Sequence, residues 1–169
     1  EVAMYGKILV AFGEEDPLNQ KVLSEATAIA AADHGVLNLL HVLLPAEAGL
    51  PDTGYVTADG INATAKVEAF RLYLEQWQGW RQQNQQSLAE QVNQLQAQGV
   101  TAEWSQAVGD AGRQICRVAK DWSADVIVLG RHQRSGIQEI LLGSVSNYVM
   151  HHASCSVLIV QNVEAAASA

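Results

Sequence analysis

Residues 130–147, GRHQRSGIQEILLGSVSN, hold two groups of residues suited to binding phosphate. The second group, Gly143-Ser144-Val145-Ser146, reads as the first turn of a helix. A helix start presents unpaired N–H groups and the positive end of the aligned peptide dipoles, so it attracts anions. Gly143 lets backbone come close, Val145 belongs to the same turn, and the Ser144 and Ser146 hydroxyls can donate to phosphate oxygens. Ser144 suits a plain helix cap equally well. The first group lies in the loop after an apolar run. Gly130 there permits close approach of a ligand or serves as a turn glycine. Arg131, His132 and Arg134 could add charge-assisted hydrogen bonds or simply face water. Gln133 stands where a phosphate loop favours glycine, and a backbone with positive φ would disfavour it. Gly136 offers the loop another path.

Other chemistry is sparse. Glu14, Glu15 and Asp16 form an acidic run that would repel phosphate unless a divalent cation such as Mg2+ intervened, and Asp16 also suits a helix cap. Cys116 and Cys155 have no metal-ligand spacing around them and read as reduced thiols packed as small hydrophobes. His151 and His152 are adjacent, so on a helix they diverge rather than converge on one metal. No Ser-His-Asp order, HExxH, CxxC or Gly-Lys-Ser/Thr loop is found, and no residue reads as an activated nucleophile. No residue is an obvious general base beyond the acidic run, and no metal site is expected.

With 169 residues, the chain is long enough for one domain with a sizeable core and too short for two comfortable ones. Its 49% hydrophobic and 17% charged content is that of a globular protein. A net charge of −8 argues against nucleic acid as partner. No apolar run approaches the roughly 20 residues that span a bilayer. Residues 1–3 precede Met4 and read as a cloning remnant, with no basic leader and cleavage site, so the expected compartment is the cytoplasm.

The pattern around these residues predicts the elements that position them. KILVAF (7–12) is a continuous apolar run, as in a strand covered on both faces. A helix follows, with Asp16 as cap, Pro17 in its first turn, Gly35 as its stop, and Leu18, Val22, Ala26 and Ile29 facing inward. A second strand spans 36–45, ended by Pro45, and 46–60 is loop-like. Residues 62–98 are helical and Gln-rich, with Val67, Phe70, Leu74, Trp77, Leu88, Val92 and Leu95 as apolar points. Gly79 leaves open whether this is one helix or two. A strand over 100–108 alternates Val100, Ala102 and Trp104 inward. Asp110 caps a helix over 111–122 with Ile115, Val118, Ala119 and Trp122 inside. A strand at 125–130, a helix at 144–152, a strand at 156–161 and a frayed tail at 162–169 complete the chain. This order predicts an α/β fold: a single doubly wound, five-stranded parallel sheet flanked by helices, Rossmann-like. Ligands of such sheets sit beyond the carboxyl ends of the strands where strand order reverses.

The segment ADVIVLGRHQRSGIQEILLGSVSNYVMHHASCSVLIV resembles the universal stress protein (UspA-like) family. The family hallmark is a glycine, two residues, a second glycine, nine residues, then Gly-Ser or Gly-Thr at a helix start. Those places hold Gly130, Gln133 and Gly143-Ser144. KILVAF, LNLLHV and VGDAGRQI also look like family segments, and the resemblance covers the chain except 46–90. It implies an adenine nucleotide alpha hydrolase-like domain in the cytosol that forms a homodimer through its last strand, 156–161. Many members bind ATP or AMP. Carried over, the adenine lies against His41-Val42. The ribose lies by Ala11-Phe12-Gly13, where the family has an aspartate and this chain has Gly13. The phosphates lie between Gly130-Arg131-His132-Gln133 and Gly143 to Ser146. The expectation is a dimeric, stress-response ATP/AMP-binding module without efficient turnover, at best with slow ATP hydrolysis. The alternative is an interaction scaffold that has lost the nucleotide through Gln133 and Gly13, with Trp77 and Trp80 as partner anchors or packing residues.

Overall fold

A computed structural model describes residues 4–13, 17–44, 63–131 and 143–161. The elements run β1 (Lys7–Phe12), α1 (Pro17–Asp33), β2 (Val36–Leu43), α2 (Ala63–Ala97), β3 (Ala102–Val108), α3 (Ala111–Trp122), β4 (Val126–Arg131), α4 (Ser144–His152) and β5 (Ser156–Gln161). All strands are parallel, in the order β3-β2-β1-β4-β5. The expected doubly wound sheet is therefore the observed one. Order reverses between β1 and β4, where Ile8 pairs with Val126 and Ala11 with Leu129.

Period-two alternation divides the core. Ile8, Val10, Leu37, Leu39, Val126 and Val128 face α1 and α2, where Leu18, Val22, Ala26, Leu88, Val92 and Leu95 meet them. Leu9, Ala11, Leu40, Ile127 and Leu129 face α3 and α4, against Ile115, Ala119 and Val149. Each fully buried aliphatic side chain contributes roughly 1.5–3 kcal/mol. β1 and β4 lie between neighbours and under helices on both faces, which is why their sequences are continuous apolar runs.

Several boundaries differ from the sequence expectation. Strand β2 stops at Leu43, two residues before Pro45. Strand β3 begins at Ala102, because Gly99 (φ 83°) and the bond from Val100 N to Leu95 O (3.0 Å) form the turn that ends α2. Trp104, expected inside, is 37% exposed, since β3 is an edge strand. In α1, Ala30 takes the buried place and Ile29 packs at the margin. The left-handed residue ending α1 is His34 (φ 53°), not Gly35. Gly35 is required by space, because a Cβ there would stand 2.7 Å from the Tyr5 carbonyl oxygen.

Helix α2 is one helix of 35 residues, uninterrupted at Gly79. Its length is about 52 Å, while β3 beneath it has seven residues, about 23 Å. Only the C-terminal half has sheet to cover. Leu88, Val92 and Leu95 are buried there, whereas Phe70 and Leu74, apolar points of the same helix, are exposed. No helix among the described residues is long and apolar enough to cross a membrane.

Candidate functional site

The carboxyl end of the sheet gathers the residues singled out by sequence. Phe12 of β1 pairs in register with His41 of β2, and His41 with Gln106 of β3. Ala11 is buried on the α3–α4 face, Phe12 packs at the edge of the α1–α2 core, and Val42 borders the α3–α4 core. Gly13 is exposed just past β1, and its backbone is clamped in both directions by one side chain. Its N–H donates to Asn19 Oδ1 and its carbonyl accepts from Asn19 Nδ2, each at 3.3 Å. Sequence reading missed Asn19, because nothing in its spacing marks the contact.

Gly130 lies inside β4 rather than in a turn. A Cβ there would stand 2.6 Å from Leu18 Cδ2 and 3.3 Å from Val22 Cγ2, so its lack of a side chain lets α1 seat on β4. Arg131, the last residue of β4, shares the face of Ile127 and Leu129 and is buried, with 8% relative exposure. Its Nε has no hydrogen-bond partner among the described residues. An arginine rarely lies this deep unpaired, because removing a cation from water without a compensating bond is costly. The buried Gln114 Oε1, near the α3 start, also lacks a partner there. Sequence reading missed Gln114 because a glutamine in an amphipathic helix gives no burial signal.

The two helix starts at this edge on the α3–α4 face differ. That of α3 is closed, because the Asp110 carboxylate accepts from Arg113 N at 2.9 Å, as expected of a cap. That of α4 is open. Its cap is Gly143, not Ser144, and makes no side-chain bond. The first in-helix bond runs from Asn147 N to Gly143 O (2.9 Å), leaving the N–H groups of Ser144, Val145 and Ser146 without an in-helix acceptor. Gly143 has φ −56° and ψ 153°, a conformation open to any residue, so its glycine supplies room rather than backbone freedom. Ser144 and Val145 are exposed, and Ser146 is buried. Ser146 Oγ donates to the Gly143 carbonyl at 3.0 Å, so that proton is committed within the turn. Helix α4 packs against β4, which brings its start to the side of the sheet that holds Arg131.

His132 and Gln133, like Glu14, Glu15 and Asp16, lie outside the described residues. No cluster of three metal-ligating side chains occurs among the described ones. Cys116 and Cys155 border the α3–α4 core, and burial raises both thiol pKa values.

A family model for the universal stress protein family matches residues 4–161. The chain belongs to that family. Universal stress protein Sll1388 of Synechocystis is 39% identical over 158 residues, spanning 94% of this chain and 99% of the relative. Universal stress protein A homolog 2 of Coxiella burnetii is 32% identical over 157 residues, 93% of this chain and 95% of its own. Among solved structures, that of MJ0577 superposes with a TM-score of 0.72 at 24% identity, over 95% of this chain and 99% of that one. This universal stress protein thus has the parallel fold expected from its element order, with the first hallmark glycine, Gly130, in β4, the strand that pairs with β1 at the switch point.

Proposed function

We propose that this universal stress protein is an adenine-nucleotide-binding module of the stress response, taking ATP or AMP at the carboxyl edge without efficient turnover. The observation that carries the reading is the pairing of an open helix start at α4 with the buried Arg131 on the same face, whose Nε has no hydrogen-bond partner among the described residues. Phosphate supplies what both lack: acceptor oxygens for the Ser144–Ser146 N–H groups and an anion for the guanidinium. A universal stress protein of Archaeoglobus fulgidus has been solved in complex with dAMP; it shares the fold at 19% identity, with a TM-score of 0.56 over 92% of this chain and 98% of that one. In the proposed pose, adenine lies by His41 and Val42, and ribose by Ala11, Phe12 and Gly13. Gly130, His132 and Gln133 join Arg131 and the α4 start around the phosphates, with Mg2+ accompanying ATP.

The working unit we propose is a cytoplasmic homodimer through β5. That strand is an edge of the sheet, and Leu158 on it is 37% exposed with Val157 and Ile159 half-buried. Two such edges joined across a two-fold axis satisfy each other's backbone groups.

A second reading, a scaffold without nucleotide, is favoured by the Asn19 clamp on Gly13, which occupies the backbone at the expected ribose end and leaves no carboxylate at that position. The test separating the two is to denature the purified protein, assay for released ATP or AMP by mass spectrometry, and titrate nucleotide calorimetrically. Carried nucleotide or binding heat is the expected result. Neither carried nucleotide nor heat at millimolar ATP overturns the binding reading. Gln133→Gly should tighten binding; unchanged affinity would show that Gln133 is no obstacle.

A further inference from the structure

The first turn of α3 carries a side chain whose polar end the fold leaves unused. Gln114 is half-buried as a residue, but its Oε1 is shut off from solvent and has no hydrogen-bond partner among the described residues. A buried acceptor without a donor is costly, and most such groups in folded proteins are satisfied. Capping of α3 does not employ it. The Asp110 carboxylate closes that helix start through Arg113 N, and the backbone N–H of Gln114 donates to the Asp110 carbonyl at 2.9 Å. The Gln114 side chain lies instead over Gly109, where a Cβ would stand 3.2 Å from its Nε2.

Gly109 fixes where that amide sits. Its N–H donates to the Leu43 carbonyl at 2.9 Å, so it lies at the carboxyl end of β2 as well as of β3. Two residues earlier, Ala107 pairs with Val42, and both belong to the α3–α4 side of the sheet, the side that holds Arg131. The ends of β3 and β4 are three inter-strand steps apart in the order β3-β2-β1-β4, roughly 14 Å. One side of the sheet thus carries a guanidinium and open helix N–H groups by β4, and an uncharged amide by the end of β2. A ligand that meets both has an anionic end and, about a nucleotide's length away, a polar edge that matches an amide.

We infer that Gln114 reads the base of the bound nucleotide and selects adenine. This role rests on the nucleotide-binding reading of the same site, to which it adds the residue that sets base preference. A carboxamide places a donor and an acceptor side by side, and adenine presents their complement, the 6-amino group beside N7. A 6-oxo purine presents two acceptors along that edge, so it leaves Oε1 facing an oxygen lone pair. A bidentate pair of this kind discriminates by about 1–3 kcal/mol, roughly 5- to 150-fold in affinity.

The test is calorimetric titration of the full chain with ATP and with ITP, which carries an oxygen in place of the 6-amino group. It compares the unaltered protein with Gln114→Met and Gln114→Asn. Methionine keeps the length and removes the amide. Asparagine keeps the amide but withdraws it by one methylene, and it carries the test if the methionine variant folds poorly. The expected result is a preference for ATP in the unaltered protein that falls roughly 5- to 150-fold in the variants, with ITP affinity nearly unchanged. A preference that survives both substitutions, or an equal loss of ATP and ITP affinity, overturns the role of Gln114 and leaves nucleotide binding standing. Binding of neither nucleotide to the unaltered protein overturns the nucleotide reading itself, and this role with it.

Discussion

Gly130 and Leu18 meet where β4 ends and α1 begins: a Cβ on Gly130 would stand 2.6 Å from Leu18 Cδ2 and 2.8 Å from Leu18 Cγ. The first glycine of the family hallmark is thus a packing glycine, whatever part it has in the proposed phosphate site. Leu18 is 3% exposed, held within the core between α1 and the sheet.

Gly130→Ala should therefore destabilise the fold by about 1–3 kcal/mol through overpacking, read as a lowered urea midpoint. Adding Leu18→Ala should recover part of that loss, because the inserted methyl then occupies vacated space. A strictly additive double mutant would show that the two residues do not share the contact.

Arg131→Met should separate stability from binding. Removing a buried guanidinium whose Nε lacks a partner should leave thermal stability unchanged or raised. Nucleotide affinity should fall by roughly 10- to 100-fold, the equivalent of a charge-assisted bond of about 1.5–3 kcal/mol. Calorimetry with ATP and a thermal melt without it read the two effects. A large loss of stability with full affinity would place Arg131 in the core's support instead.

The two halves of α2 should respond oppositely to truncation. Leu88→Ala, at a buried position, should cost about 2–5 kcal/mol. Leu74→Ala, on the exposed N-terminal arm of α2, should change monomer stability by less than about 0.5 kcal/mol. Chemical denaturation at low protein concentration makes the comparison; equal costs would mean that the arm packs on the same core.

Cys116 and Cys155 should alkylate more slowly than an exposed cysteine near neutral pH. Burial raises both pKa values, and each further charge near Cys155 acts in the same direction. Their rates should climb with pH beyond the ordinary thiol range. The folded thiols hold their protons more tightly than the unfolded ones. Their contribution to stability is therefore complete below the unfolded pKa and is lost as pH rises through the folded one. Iodoacetamide kinetics against pH check the rates, and denaturation against pH checks the linkage.

Much of the architecture was legible in the sequence because it depends on local pattern. Continuous apolar runs separated by helical periodicity lead to a parallel sheet, and the crossover rule then fixes its winding. The Gly143-Ser144 helix start and the Asp110 cap were equally legible, since backbone chemistry at a helix end involves neighbours in the chain. Which apolar points of α2 are buried was not legible, because periodicity records which face of a helix is apolar, not whether a sheet lies under it; the short strand β3 leaves Phe70 and Leu74 exposed.

The family, the order of elements along the chain, the parallel sheet they build and the place of the α4 start follow from residue types and spacing alone. Only the tertiary structure shows the strand order, Gly130 packed against Leu18, Asn19 holding Gly13, Arg131 buried without a partner for its Nε among the described residues, and Phe70 and Leu74 of α2 left exposed. The physical reason is distance along the chain. Caps and turns are settled by residues a few positions apart, whereas burial depends on what long-range folding brings above each side chain.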